Sequence, residues 1–442
     1  MEVQIINRET IKPSSPTPDH LRTHKLCLFD LLASPIYIPT LLFYSARDGS
    51  PTNSISDNLK KSLSKALTHF YPLAGRIKDD LTIDCNDDGA TFIEAQVARD
   101  MSFVLEEPDI EVLQQLLPCD PLQHLPQTQP STDQVLLAVQ VNHFACGGMA
   151  ICVCISHVVA DASAAANFLK GWAEVACGAD IIEGVIYDCS SLFPLRDMSL
   201  FYRVMEILLH KTNAGSPEVI TKRFLFDGSK IAALRNEMGD ELNSYHPTRI
   251  EAVTALIWEA LVAATAENVT TSPILEASNI VNLRKRMNPP LPPQCIGNVC
   301  FVSMVSTPTE NIENRTSLAR KIHESIKEID DDYIRKIFTS NAECFHNLME
   351  KIFEEMKKSS NIGMFRFSSW CRFPFYETNF GWGKPIWFGT AFAINRNGCL
   401  LDTSDGEGIE AWISLTKEEM AQLEQQPGIL AHAAFKPSIW RF

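Results

Sequence analysis

The chain has 442 residues, 45% of them hydrophobic and 21% charged, a balance that suits a packed globular protein and excludes a disordered one. At roughly 150 residues per domain, that length allows two or three domains. The 54 acidic against 39 basic residues leave a formal net charge of −15, which argues against a nucleic-acid groove or an anionic membrane surface as partner.

No run of about 20 apolar residues occurs, so no membrane-spanning helix is expected. The N-terminus, Met1-Glu2-Val3-Gln4-Ile5, offers no signal-peptide core, and Ile439-Trp440-Arg441-Phe442 is no retention or peroxisomal tail. The 13 cysteines are odd in number and form no Cys-x-x-Cys pair. They read as free thiols in a reducing, cytoplasmic setting, with no metal site. Cys152 and Cys154, two apart in an apolar run, share one sheet face. In that setting the sequons at Asn268 and Asn314 are accidental.

Lys12 to Pro18 is too proline-rich for helix and reads as an extended lead-in. Asp57 to His69 puts Leu59, Leu63, Ala66 and Leu67 on one face, the pattern of an amphipathic helix. Strands are expected at Leu81–Cys85 and Thr91–Ala95, with Asn86-Asp87-Asp88-Gly89 as a hairpin turn. Gln134–His143 and Met149–Ser156 read as strands joined by Cys146-Gly147-Gly148, and Asp161–Ala176 as a strong helix. Phe193 to Glu218 is less regular, with an amphipathic piece at Phe201–His210, and reads as a crossover between lobes. Beyond it, strands are expected at Thr221–Phe226, Ile274–Asn282, Asn298–Val305, Trp387–Ile394, Gly398–Asp402 and Ile409–Ser414. Helices are expected at Pro247–Ala266, through the charged stretch Arg315 to Lys358, and at Glu418–Gln425. No internal repeat is visible. The mix makes an α/β chain of two sizeable lobes.

Ser156-His157-Val158-Val159-Ala160-Asp161 sets an imidazole at the end of a buried strand, with a carboxylate four residues on. A neutral imidazole, with a free pKa of about 6.5, can take a proton from an alcohol. Asp161 stands where a helix N-cap is needed, so a structural carboxylate competes with a functional one. A bare His-x-x-x-Asp is common by chance, and a lone histidine is more often a core residue than a base. No GxSxG, HExxH, Walker A or GxGxxG pattern supplies a rival site.

Two further segments stand out. Val281 to Pro290 holds Arg284 and Arg286, suited to a buried carboxylate, a phosphate or a solvated loop. Ser368-Ser369-Trp370-Cys371-Arg372-Phe373-Pro374-Phe375-Tyr376 runs into Asn379-Phe380-Gly381-Trp382-Gly383, where the glycines suggest a tight loop with close backbone approach.

The three segments, with Ser62–Ile77 and Asp84–Gly89, resemble the plant BAHD acyltransferases over essentially the whole chain. The likeness is to the branch that O-acetylates monoterpene indole alkaloids. That family carries His-x-x-x-Asp and, far downstream, Asp-Phe-Gly-Trp-Gly; here Asn379 begins the second motif, 222 residues after His157. The resemblance implies a two-lobed, chloramphenicol acetyltransferase-like α/β fold with mixed sheets and a channel between the lobes. The N-terminal lobe would span 1–205 and receive about 379–398 from the C-terminal half. A crossover at 206–220 would lead to a C-terminal lobe, 221–442, carrying the coenzyme A loops.

His157 then matches the general base of an acyl-CoA-dependent transfer to a small-molecule alcohol, with acetyl-CoA the expected donor and an indole alkaloid, then a terpenoid, the expected acceptor. No cofactor would be bound permanently, and the protein would be a monomer. Asp161 matches a carboxylate turned from the cavity to bridge an arginine, for which Arg284 is the match. Ser368 and Trp370 match a polar-plus-indole pair beside the thioester. Asn379, Gly381, Trp382 and Gly383 match a structural loop, in which asparagine replaces the usual aspartate. That replacement leaves a non-catalytic, BAHD-fold binding protein as the alternative. Cys295-Ile296-Gly297-Asn298 lies where the resemblance puts donor-side differences.

Overall fold

The computed structural model describes the chain except for residues 47–51, 125–133, 181, 183, 186–187, 201, 203–217, 240–244, 267–272, 309–312, 341, 359–361, 436–437 and 440–442. The Asn268 sequon and most of the amphipathic piece at 201–210 and of the crossover at 206–220 lie outside the described residues.

Three sheets organise the described chain. The first has strands β1 (Val3–Ile11), β3 (Tyr37–Tyr44), β6 (Ala90–Val97), β7 (Leu137–Phe144), β8 (Met149–Ser156) and β13 (Trp387–Gly389), in the order β1-β6-β7-β8-β3-β13. A small sheet, β2 (Thr23–Lys25), β4 (Arg76–Asp79) and β5 (Thr82–Asp84), flanks it. The third has β9 (Val219–Phe226), β10 (Ile274–Asn282), β11 (Cys300–Ser306), β12 (Gly363–Ser369), β14 (Asn397–Asp402), β15 (Ile409–Thr416) and β16 (Ala434–Phe435), ordered β11-β10-β12-β14-β15-β9-β16. Both large sheets are mixed: β6 runs parallel to β7, and β12 parallel to β10 and β14.

The principal helices are α1 (Leu28–Leu32), α2 (Thr52–His69), α3 (Ala162–Ala176), α4 (Gly228–Met238), α5 (Arg249–Ala266), α6 (Arg315–Lys327), α7 (Ala342–Lys358) and α8 (Lys417–Leu423). Helices α2 and α3 cover the first sheet with Leu59, Leu63, Leu67, Phe168, Leu169 and Trp172. Trp172 is fully buried, and its indole N–H donates to Ser62 Oγ at 3.0 Å, so the polar handle of a large apolar side chain is satisfied. Helices α4, α5, α6 and α8 cover one face of the third sheet, against Ala277, Phe365, Phe367 and Ile413. Among the described residues, no helix is long and apolar enough to cross a membrane. Asn314 caps α6 by accepting from the Ser317 N–H at 3.0 Å.

Three departures from the sequence pattern have an identifiable physical reason or bear on the site. The Asn86–Gly89 turn closes no hairpin: β5 pairs with β2 and β4, whereas β6 pairs with β1 and β7. Asp87, at φ 59°, accepts from the N–H and hydroxyl of Thr17 at 2.9 and 2.6 Å, and that tie to the lead-in redirects the chain into another sheet. Strand β3 escapes a pattern reading because Pro39 interrupts its apolar run. The same proline shortens the expected strand Trp387–Ile394 to β13. Trp387, Phe388 and Gly389 pair with Phe43, Leu42 and Leu41, and the ladder stops as it nears a residue with no N–H to give. The third departure is at Arg315–Lys358, where α6 and α7 are separated by a short helix, Asp331–Ile334, and a π-helical stretch, Arg335–Ser340.

Candidate active site

Strand β8 is apolar along its length and buried at all eight residues, as a strand with neighbours on both edges must be. The ladder ends at Ser156, opposite Tyr37. His157 follows, held at both ends of its backbone. Its N–H donates to Ile36 O at 2.8 Å, and its carbonyl accepts from Asn298 Nδ2 at 2.7 Å. The side chain is half-buried. Its Nδ1 is sealed from solvent with no hydrogen-bond partner.

Asp161 does not touch that ring. It is the N-cap of α3, with Oδ1 accepting from the Ala164 N–H at 2.8 Å. Its Oδ2 accepts from Arg284 at 2.7 Å and from the Val299 N–H at 2.9 Å. Arg284 is 2% exposed and spends its other donors on the carbonyls of Cys295 and Gly297. Burial alone would lower the Arg284 pKa, but the Asp161 charge outweighs it and holds the value above the ordinary one. The pair is supported by the further hydrogen bonds that both members make to the backbone. Arg286 takes a different role, donating to the carbonyls of Ile326 and Ile329 at 2.9 Å.

Segment 295–299 is therefore a strap across the motif. Ala160 bridges to Gly297, and the Asp161 N–H points at Gly297 O at 3.4 Å. Gly297 has φ +97°, and a Cβ there would lie 3.3 Å from Asp30 Oδ1. Asp30, in α1 and 3% exposed, accepts from the Asn298 N–H at 2.7 Å and from Asn298 Nδ2 at 2.9 Å. Asp30 thus orients the amide that grips His157. Pattern reading offers no signal for Asp30. Asn298 stands in the sequence reading only as part of Cys295–Asn298, and the structure sets its amide against Asp30 and the His157 carbonyl.

Ser368 pairs with Cys399, so both side chains share the sheet face away from α4–α6. On that face Cys399, Leu401 and Trp412 join the core of the first lobe, with Trp370, Phe375, Trp387 and Phe388. The cover stops at β12. Ile280, Val302 and Met304, on the same face of β10 and β11, remain 42%, 36% and 39% exposed. That half of the sheet face is an open wall, the part of the sheet that would line the channel expected between the lobes. Ser368 is half-buried in that wall, and Trp370 packs beside it against Phe375, Phe388 and Phe392.

The Asn379 loop lies elsewhere. Asn379 Oδ1 accepts from the N–H groups of Gly381 and Gly383, both at 2.9 Å, and Trp382 packs on Tyr44 and Phe380. Gly381 and Gly383 have φ +98° and +104°, yet a Cβ on Gly383 would meet nothing within 4 Å. The glycines there serve backbone conformation and not close approach. A separate cavity of about 470 Å³ is lined by Arg235, Arg249, Arg372, Asp402 and Glu407. Arg249 pairs with Asp402 at 2.9 Å.

Residues 1–429 match the Transferase family. The chain is 44% identical to the limonoid 1-O-acetyltransferase of Citrus sinensis, covering 99% of this chain and 100% of that one. It is 35% identical to the stemmadenine O-acetyltransferase of Catharanthus roseus, covering 96% of each. Among solved structures it is similar to vinorine synthase, with a TM-score of 0.82 at 32% identity over 99% of this chain and 100% of that one. With two lobes of mixed sheet, a His-x-x-x-Asp segment at their seam and likenesses of this extent, the chain belongs to the Transferase family of BAHD acyltransferases and is an acyltransferase.

Proposed function

We propose that this protein transfers an acetyl group from acetyl-CoA to a hydroxyl of a polycyclic specialised metabolite, with His157 as general base. One observation carries the assignment of roles. Asp161 is committed to Ala164, Arg284 and Val299, so the imidazole is the group of the motif left to move a proton. Nε2 takes the proton of the acceptor hydroxyl as its oxygen attacks the thioester carbon. The tetrahedral intermediate places charge on the former carbonyl oxygen. Ser368 and Trp370, at the cleft wall, are the proposed groups around it, where one good donor is worth about 10²–10³ in rate. Collapse expels the coenzyme A thiolate, which the imidazolium protonates. No acyl-enzyme forms. The phosphates of the donor need cations, and the cavity lined by Arg235, Arg249 and Arg372 is the proposed place for them.

Three relatives whose names say limonoid are 43–45% identical to this chain; those named for stemmadenine, salutaridinol and akuammiline are 33–35% identical, and two named for epi-neemfruitin B are 45% and 34% identical. An oxygenated terpenoid alcohol is therefore placed ahead of an indole alkaloid as acceptor. The test is mass spectrometry of products from purified protein with acetyl-CoA, malonyl-CoA and terpenoid and alkaloid alcohols. Acetyl esters should appear, and His157→Ala should lower kcat/KM by about 10²–10⁴ with unchanged melting. Absence of transfer from every acyl-CoA, or full activity in His157→Ala, would sink the reading.

A further inference from the structure

The open wall carries a charged side chain, Arg366, that has no ion pair among the described residues. Arg366 lies on β12, two residues before Ser368 and on the same face. It sits in a cross-strand row that runs Met304, Ser278, Arg366, Asn397. The next row toward the motif holds Val302 and Ile280, and the one after it Cys300 and Asn282. Arg366 is half-buried, and no ion pair or side-chain hydrogen bond engages its guanidinium among the described residues. Glu276, diagonal to it on the same face, does not bridge to it. Burial pushes its pKa down with no opposing carboxylate. The two fully buried arginines among the described residues are paired: Arg284 with Asp161, and Arg223 with Glu410 at 3.0 Å. A half-buried guanidinium with no anion beside it keeps donors that a ligand oxygen can take.

We propose that Arg366 binds a carbonyl or carboxylate oxygen on the acyl acceptor, at the end remote from the hydroxyl that is acylated. The proposal rests on the acyl-transfer reading above. Asn282 leads into Arg284 and hence Asp161, so the Arg366 row lies four residues, about 13 Å, from the level of the motif. That separation matches the long axis of a polycyclic skeleton. The surroundings support the acceptor over the donor. Met304, Val302 and Ile280 present apolar surface beside Arg366, which suits a hydrocarbon body with a strong oxygen acceptor. The phosphates of coenzyme A call for several cations together.

The experiment uses the full chain with a triterpenoid alcohol bearing a remote lactone carbonyl, and its analogue with that carbonyl reduced to an ether. Arg366→Gln should raise KM for the lactone roughly tenfold to hundredfold, the worth of a hydrogen bond to a charged group. Its KM for acetyl-CoA and its kcat should hold within threefold, and the preference for lactone over ether should vanish. Arg366→Lys should recover part of that preference. A calorimetric Kd in the His157→Ala background, with and without Arg366→Gln, reads the same contact without turnover. It thereby separates failure of this proposal from failure of the acyl-transfer reading. A rise in KM for acetyl-CoA instead, or equal lactone affinity with and without Arg366, overturns the proposal.

Discussion

At the scale of the residue, the two members of the His-x-x-x-Asp segment have unequal duties. The imidazole has a nitrogen with no hydrogen-bond partner, while the carboxylate is consumed by a cap, an arginine and a strap N–H. Asp161→Asn separates those duties. An asparagine still caps α3, but it leaves the Arg284 charge buried without its counter-ion. The expected loss is about 3–5 kcal/mol of stability in urea unfolding, and combining it with Arg284→Met should restore much of that loss. A small effect of the single change would mean that the pair contributes little. The Asp161–Arg284 match is legible through the family resemblance. Residue spacing alone leaves Arg284 and Arg286 equivalent, and only the fold separates a buried ion-pair partner from a donor to helix-end carbonyls.

At the scale of the element, periodicity finds β8, α3, α5 and β10 because each buries a continuous apolar face over many residues. It misses β3 and misreads the Asn86–Gly89 turn, because a proline and a long-range hydrogen bond to Thr17 decide those places. The Asn379 loop belongs to this scale as well. One amide oxygen already makes both backbone bonds that a carboxylate oxygen would make, so the asparagine preserves the loop without its charge. Asn379→Asp should therefore leave turnover within about twofold and change stability by about 1 kcal/mol at most, the net worth of a single hydrogen bond. A large gain in kcat with unchanged melting would contradict that structural role.

For the whole molecule, the two lobes are stitched by shared packing. Strand β13 from the C-terminal half completes the first sheet, and Phe29, Val281, Leu283 and Val299 share a third core. Such a molecule should respond to acid as a unit. Burial lowers the His24 pKa, although Asp30 and Asp188 pull it upward, and burial lowers that of His143 against the pull of Glu94. A depressed folded-state value means stability is intact above the ordinary value of about 6.5 and is lost as pH falls from there toward the folded-state value. The loss is about 1.4 kcal/mol per pH unit for each such group. Between pH 6.5 and 5, His24→Gln should flatten the dependence of Tm on pH; an unchanged slope would place the sensitivity elsewhere.

Amino-acid order by itself determined the lobed α/β class, the buried strand that ends in His157 and the helix capped by Asp161. Those depend on contacts within one element, where apolar spacing and capping chemistry act locally. The family resemblance added the kind of reaction and the partner of Asp161. Tertiary structure alone decided the rest. It set Asp30 against Asn298 and Asn298 against the His157 carbonyl, across 268 and 141 residues of chain. It also covered half of a sheet face and left the half that holds Arg366 open. No local pattern encodes such pairings, because they arise only when the second lobe closes on the first.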